Sequence, residues 1–130
     1  MPIVYQRDDQ RRLITVTVTE PYSVDDIRGV IDRQAGEDTW GYAMLYDLRA
    51  VTDASAEADL QQIADRVQAA GRGRERGQVG IAIRAKPSLF LLALTYSKLT
   101  KGLVTVEVLL TTAQIDAWLA RNAPSSSRQP

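Results

Sequence analysis

Apolar side chains recur along this chain with two different spacings, and the two spacings alternate from one segment to the next. In residues 13–19, β-branched apolar residues alternate with threonines, which is the period of a strand with two unlike faces. A short β-prone segment precedes it in residues 3–6, and the polar residues 7–12 between the two suit a turn. The pattern therefore predicts a β-hairpin at the start of the chain.

Three further strands are predicted, each separated from the next by a helical segment. Residues 42–48 form a compact apolar run, which is typical of a strand buried on both faces in a parallel sheet. Residues 79–83 form another, in which Gly80 and Ala82 make one face small enough for a helix to approach closely. In residues 104–110, valines alternate with polar residues, which indicates the last strand.

Helical spacing fills the intervals between these strands and the end of the chain. Ser23 and Asp26, and again Thr111 and Gln114, have the spacing of a capping box, so they mark the starts of the first and last helices. Pro87 opens the third helix. The order β-β-α-β-α-β-α-β-α predicts an α/β fold with right-handed crossovers. We expect a mixed sheet of about five strands, with an antiparallel hairpin strand at one edge, flanked by about four helices.

Length, charge and hydropathy limit the classes of function. The 130 residues suit one domain, which we place at residues 1–122, with a flexible polar tail at 123–130. Lys plus Arg and Asp plus Glu both number 16, so the net charge is zero, which argues against nucleic acid as a partner and against membrane binding through bulk charge. No apolar run is long enough for membrane insertion and no leader pattern opens the chain, so we expect a cytoplasmic location.

The chain contains neither Cys nor His, which removes most common catalytic and metal-binding chemistry. Thiolate and imidazole ligands, thiol nucleophiles and histidine-based triads are excluded. We therefore expect a protein that is not an enzyme, with no cofactor and no metal site. An acid–base role for Asp47 and Asp53, or for Tyr96, stays as the weakest alternative.

Four residues at the end of the third predicted strand form the first candidate binding surface: Asp47, Arg49, Asp53 and Ser55. Ligands of open α/β sheets bind outside the carboxyl ends of parallel strands, which is where these residues are expected. A helix start offers free N–H groups to an anion or a phosphoserine. The plainer interpretation, which we favour, is that Asp53 and Ser55 only cap the second helix.

The third helix has more apolar residues than a helix on one face of a sheet needs. Phe90, Leu91, Leu94 and Tyr96 belong to this surplus, which extends almost around its first two turns. We weigh three interpretations in order of preference: extra core covered by the last helix and its Trp118, a homodimer contact, and a pocket for an apolar ligand.

The loop of residues 71–77 contains Arg72, Arg74 and Arg76 among three glycines. It matches neither a Walker loop nor a dinucleotide fingerprint, because no Lys-Ser/Thr follows and the next element is a strand. We favour a solvated connection, with a phosphate or an acidic partner as the alternative.

Three segments resemble the STAS superfamily and its SpoIIAA-like proteins: residues 43–55, 77–87 and 104–122. With the order of elements, the resemblance extends over residues 3–122. It implies a regulatory protein-interaction module like the anti-sigma factor antagonists, in which a partner kinase phosphorylates a serine at the start of the second helix. Ser55 holds that position here. A protein partner or a second copy of the chain is implied, and the alternative is a small apolar-ligand or lipid-binding domain that uses the Leu-rich third helix.

Overall fold

The computed structural model describes residues 2–52 and 57–124, with side chains in the second helix described from Asp59 onward. Within these residues the elements follow the predicted order, which confirms an α/β fold with a five-stranded mixed sheet and four helices. The predicted tail, residues 123–130, lies outside the described residues except for its first two. The elements are β1 (Ile3–Asp8), β2 (Leu13–Val18), α1 (Val24–Gly36), β3 (Ala43–Asp47), α2 (Glu57–Ala70), β4 (Val79–Ala82), α3 (Pro87–Leu99), β5 (Val106–Leu109) and α4 (Thr112–Asn122).

The strands lie side by side in the same order as in the chain, from β1 to β5. The β1–β2 hairpin is antiparallel, as predicted, and the other three pairings are parallel. Because right-handed crossovers that all step in one direction place their helices on one face, α1, α2 and α3 form a layer on the same side of the sheet. In that layer α2 packs against both α1 and α3.

The face of the sheet under α1, α2 and α3 carries the larger core. Its strands contribute large apolar side chains, including Ile14, Met44 and Ile81, and its helices contribute inward-facing residues such as Ile31 and Leu89. The four residues predicted to form the buried stripe of α2 are all buried: Leu60, Ile63, Ala64 and Val67. This layer therefore encloses most of the apolar surface that the strands present.

The opposite face is covered by α4, which packs against β4 and β5. Trp118 is almost completely buried there, and a Cβ added to Gly80 would lie 2.9 Å from its ring. This confirms that the small face of β4 admits a helix at close range. It also corrects the preferred interpretation of the third helix, which was extra core covered by α4. Tyr96 is buried core, as that interpretation expects, but α4 is not its cover. The sheet separates Trp118 from α3, so α4 does not cover the surplus apolar residues of α3.

Capping boxes start α1 and α4, as predicted. The Ser23 hydroxyl accepts from the Asp26 amide at 3.2 Å, and the Asp26 carboxylate accepts from the Ser23 amide at 2.8 Å. Thr111 and Gln114 repeat the arrangement at α4. The proposed caps of α2, Asp53 and Ser55, lie outside the described residues.

Candidate functional site

Asp47 ends β3 at the carboxyl edge of the parallel strands, where the sequence placed it. The Arg49 guanidinium donates to both of its oxygens, at 2.9 and 2.8 Å, and the Arg49 amide donates to one of them at 3.1 Å. These hydrogen bonds hold the pKa of Asp47 below its usual range, against the opposing effect of partial burial. Asp47 is therefore an ionised carboxylate that fixes the turn after β3, which argues against a role as a general acid.

Basic side chains hold the loop that follows β3. Arg84 donates to the Arg49 carbonyl oxygen at 2.6 Å, and Lys86 donates to the Thr52 carbonyl oxygen at 2.6 Å. Val51 lies between Arg49 and Thr52 in the chain. Its side chain is fully buried and anchors the loop to the core. Two cations of the β4–α3 connection thus donate hydrogen bonds to the backbone of the loop that precedes residues 53–56. Of the four predicted binding-surface residues, the structure describes Asp47 and Arg49, while Asp53 and Ser55 lie outside the described residues.

An apolar cavity of about 60 Å³ lies between the helical layer and the ends of β3 and β4. Its walls are apolar except for tyrosine hydroxyls, and burial raises the pKa of both Tyr46 and Tyr96. Leu92 and Tyr96 line it from α3, so sequence reasoning found the helix but missed Leu92 and Tyr46 as lining residues. The complete lining is Tyr22, Ile27, Tyr46, Leu48, Leu60, Ile63, Ile81, Leu92 and Tyr96.

Arg76 turns inward from the loop that was predicted to be solvated. Its guanidinium lies 4.1 Å from the centre of the Trp40 ring and donates to the Met44 sulfur at 3.4 Å. Its Nε and Nη1 atoms are buried and have no hydrogen-bond partner among the described residues. The charge opposes the rise in the pKa of Tyr46 that burial causes. No spacing in the loop distinguished Arg76 from Arg72 and Arg74, so the sequence did not indicate this position.

The outer face of α3 carries three exposed apolar side chains, which we name the α3 patch: Phe90, Leu91 and Leu94. Their exposed fractions are 41%, 64% and 43%. Tyr96, the fourth residue predicted for this surface, is buried instead and lines the cavity. The surplus apolar residues of α3 therefore divide into an inward group that forms the cavity wall and an outward group that faces solvent.

Comparisons with protein-family models, with curated proteins and with solved structures return no match. Among the residues that the structure describes, no helix is both long and apolar enough to cross a bilayer.

Proposed function

We propose that this chain is a non-enzymatic regulatory module that acts by binding another protein through the α3 patch. The observation that carries the proposal is the exposure of Phe90, Leu91 and Leu94 on one helix, with Leu91 the most exposed. Leaving large apolar side chains in water forgoes about 1.5–3 kcal/mol for each side chain that could be buried. Clustered exposed apolar side chains of this kind mark interaction surfaces more often than isolated ones do.

The regulatory part of the proposal rests on the resemblance to STAS and SpoIIAA-like proteins. Ser55 follows β3 and precedes α2 in the chain, which is the position of the phosphorylated serine in that family. The described loop next to it ends at Thr52, whose carbonyl oxygen accepts from Lys86. A phosphate on Ser55, three positions further along the chain than Thr52, would add about two negative charges, and Lys86 is a cation that such a group could attract. We propose that such a change would alter partner docking.

A capture experiment tests the interaction surface. The wild-type chain and the Leu91→Glu variant would be cross-linked in cells of the host, and their partners identified by mass spectrometry. Val4→Glu is the matched control, because Val4 is 47% exposed on the distant strand β1. We expect partners that survive Val4→Glu and disappear with Leu91→Glu. An identical partner set for all three chains would refute the proposed surface.

The same purified material tests the switch. We expect a fraction of the chain to be phosphorylated at Ser55. Ser55→Asp should mimic the added negative charge and change the set of partners, whereas Ser55→Ala should keep the chain in the unphosphorylated state. An unmodified Ser55 together with an unchanged partner set in both variants would remove the phosphorylation from the proposal and leave the α3 patch as its basis.

The cavity supports a second candidate function, the binding of a small apolar ligand. Its volume of about 60 Å³ is well below the ~150 Å³ of an engineered cavity that accepts benzene, so a lipid would require the helices to separate. Solvent extraction of protein purified from the host, followed by mass spectrometry, should yield an apolar compound that Leu92→Trp excludes. Leu91→Trp is the matched control on the exposed side of the same helix. A clean extract from the wild-type chain contradicts this candidate.

A further inference from the structure

The stretch of chain that contains the α3 patch carries positive charges only, although the total charge of the chain is zero. Residues 76–106 contain no Asp or Glu, so every formal charge in this stretch is positive, and the opposing carboxylates of the chain lie elsewhere. The cations of the stretch are Arg76, Arg84, Lys86, Lys98 and Lys101.

Two of these cations are placed to take part in binding at the α3 patch. Arg76 is turned into the core, while Arg84 and Lys86 donate to backbone carbonyl oxygens of the preceding loop. Lys98 and Lys101 are exposed, and no ion pair holds either of them among the described residues.

The spacing on α3 aligns these charges with the patch. Leu91, Leu94 and Lys98 are separated by three and four residues, so they follow one another along a single stripe of the helix. Lys101 lies two positions past the end of the helix, after the capping residue Thr100. The outer face of α3 is therefore apolar in its first half and cationic at its carboxyl end.

We infer that the α3 patch binds a partner segment that is both apolar and acidic, an amphipathic helix whose leucine-type stripe is flanked by carboxylates. This inference rests on the proposed function and names the chemistry of its partner. The partner's apolar stripe would cover Phe90, Leu91 and Leu94, and its carboxylates would pair with Lys98 and Lys101.

A second copy of the chain fits this surface less well. In a two-fold contact through α3, each patch would face an identical patch, and residues 76–106 contain no carboxylate to receive either lysine. The α3 stretch of a second copy therefore offers Lys98 and Lys101 no opposite charge. Charge complementarity therefore favours a different, acidic chain.

An anionic bilayer fits less well because it is flat and wide. A bilayer resting on α3 would also approach the neighbouring helix α2, which presents the exposed carboxylate of Asp65. The Gln61 side chain donates to that carboxylate at 2.9 Å, and no ion pair among the described residues includes Asp65. A helical segment lying along α3 is narrower than a bilayer and covers less of α2.

Two synthetic helical peptides with the same leucine spacing provide the test, one with glutamates beside the leucines and the other with lysines. Fluorescence anisotropy would measure their binding to the full chain. We expect the glutamate peptide to bind at least about tenfold more tightly, with affinity falling as salt is added. Lys98→Glu combined with Lys101→Glu should reverse the preference, and Leu91→Glu should abolish binding of both peptides.

Several outcomes would overturn the inference. These are binding of neither peptide, an equal affinity for both, or a preference that the double charge reversal leaves unchanged. Tighter binding to phosphatidylcholine–phosphatidylserine vesicles than to the glutamate peptide would assign the patch to a bilayer. A concentration-dependent dimer that Leu91→Glu dissociates would assign it to a second copy.

Failure here is distinguishable from failure of the proposed function. If Leu91→Glu removes cellular partners while the double charge reversal retains them, the α3 patch is an interaction surface but its partner is not selected by charge. If Leu91→Glu retains every partner, the proposed function itself fails.

Discussion

The two faces of the sheet are buried by different means. Beneath α1, α2 and α3, branched strand residues meet a continuous layer of three helices. On the other face a single helix, α4, covers β4 and β5 with one large side chain, Trp118, set against Gly80. On β2 that second face carries the buried Leu13 and the partly exposed Thr15 and Thr17. One face is thus enclosed by three helices, and the other by one helix whose largest buried side chain is Trp118.

This difference explains why the surplus apolar residues of α3 stay exposed. A helix that could have covered them, α4, crosses to the opposite face and inserts Trp118 where β4 has no side chain at Gly80. Because α4 lies on the second face, no element of the described chain covers the outer surface of the layer formed by α1, α2 and α3. The α3 patch is therefore a consequence of topology as well as of sequence.

The largest effect is expected from Trp118→Ala, which removes the main contact of the single-helix face. Truncating a fully buried aromatic residue costs about 3–5 kcal/mol of unfolding free energy. Urea unfolding followed by circular dichroism would measure it. A loss below about 1 kcal/mol would contradict the role of Trp118 as the main packing residue of this face.

Within α3, a matched pair of truncations separates the inward group from the outward group. Leu92→Ala should cost about 2–5 kcal/mol, because Leu92 is 8% exposed and lines the cavity wall. Leu91→Ala, one residue away, should change the unfolding free energy by less than about 0.5 kcal/mol. Equal losses in urea unfolding would mean that Leu91 is covered in solution.

Gly80→Ala tests the close approach of α4 to β4. The added Cβ would lie 2.9 Å from the Trp118 ring and 3.1 Å from Leu109, so overpacking should cost about 1–3 kcal/mol. Gly29→Ala in α1 is the control, since a Cβ there meets nothing within 4 Å and should stabilise the helix by about 0.5–1 kcal/mol. Thermal unfolding of both variants should therefore shift in opposite directions.

The sequence predicted the order of elements, the hairpin and both capping boxes, because each of these depends on residues close together in the chain. Gly80 and Ala82 even indicated where a helix would approach closely. The sequence did not indicate which helix would do so. The crossover rule fixes the side of α1, α2 and α3, but no strand of the described chain follows α4, so neither that rule nor a local pattern fixes the side on which α4 lies.

The candidate site was predictable in part for the same reason. Asp47 and Arg49 were placed correctly at the end of β3, since they follow a strand that is recognisable alone. Arg76 was not, because its burial depends on Trp40 and Met44, which are more than thirty positions away in the chain. The division of α3 into Tyr96 inside and Leu91 outside likewise depends on the position of α2.

The smallest effect on the free energy of unfolding is expected from titration of Asp47, which ends β3, outside the two strands that α4 covers. Its pKa is lowered in the folded chain by Arg49, so the stabilisation from this pair is complete above the unfolded value of about 3.9. It is lost as the pH falls through the lower, folded pKa. Arg49→Ala should raise the pKa of Asp47 toward its ordinary value, as measured by NMR. An unchanged pKa would show that the pair does not persist in solution.

The absence of Cys from the chain permits one direct measurement of the central claim that a partner covers the α3 patch. A Leu91→Cys variant carries a single thiol, and its reaction with N-ethylmaleimide can be timed in purified protein and in host cells, with Val4→Cys as the control. We predict rapid labelling of both purified variants and selective protection of Leu91→Cys in cells. Protection of Leu91→Cys in the purified protein, or equal labelling of the two variants in cells, would contradict the account.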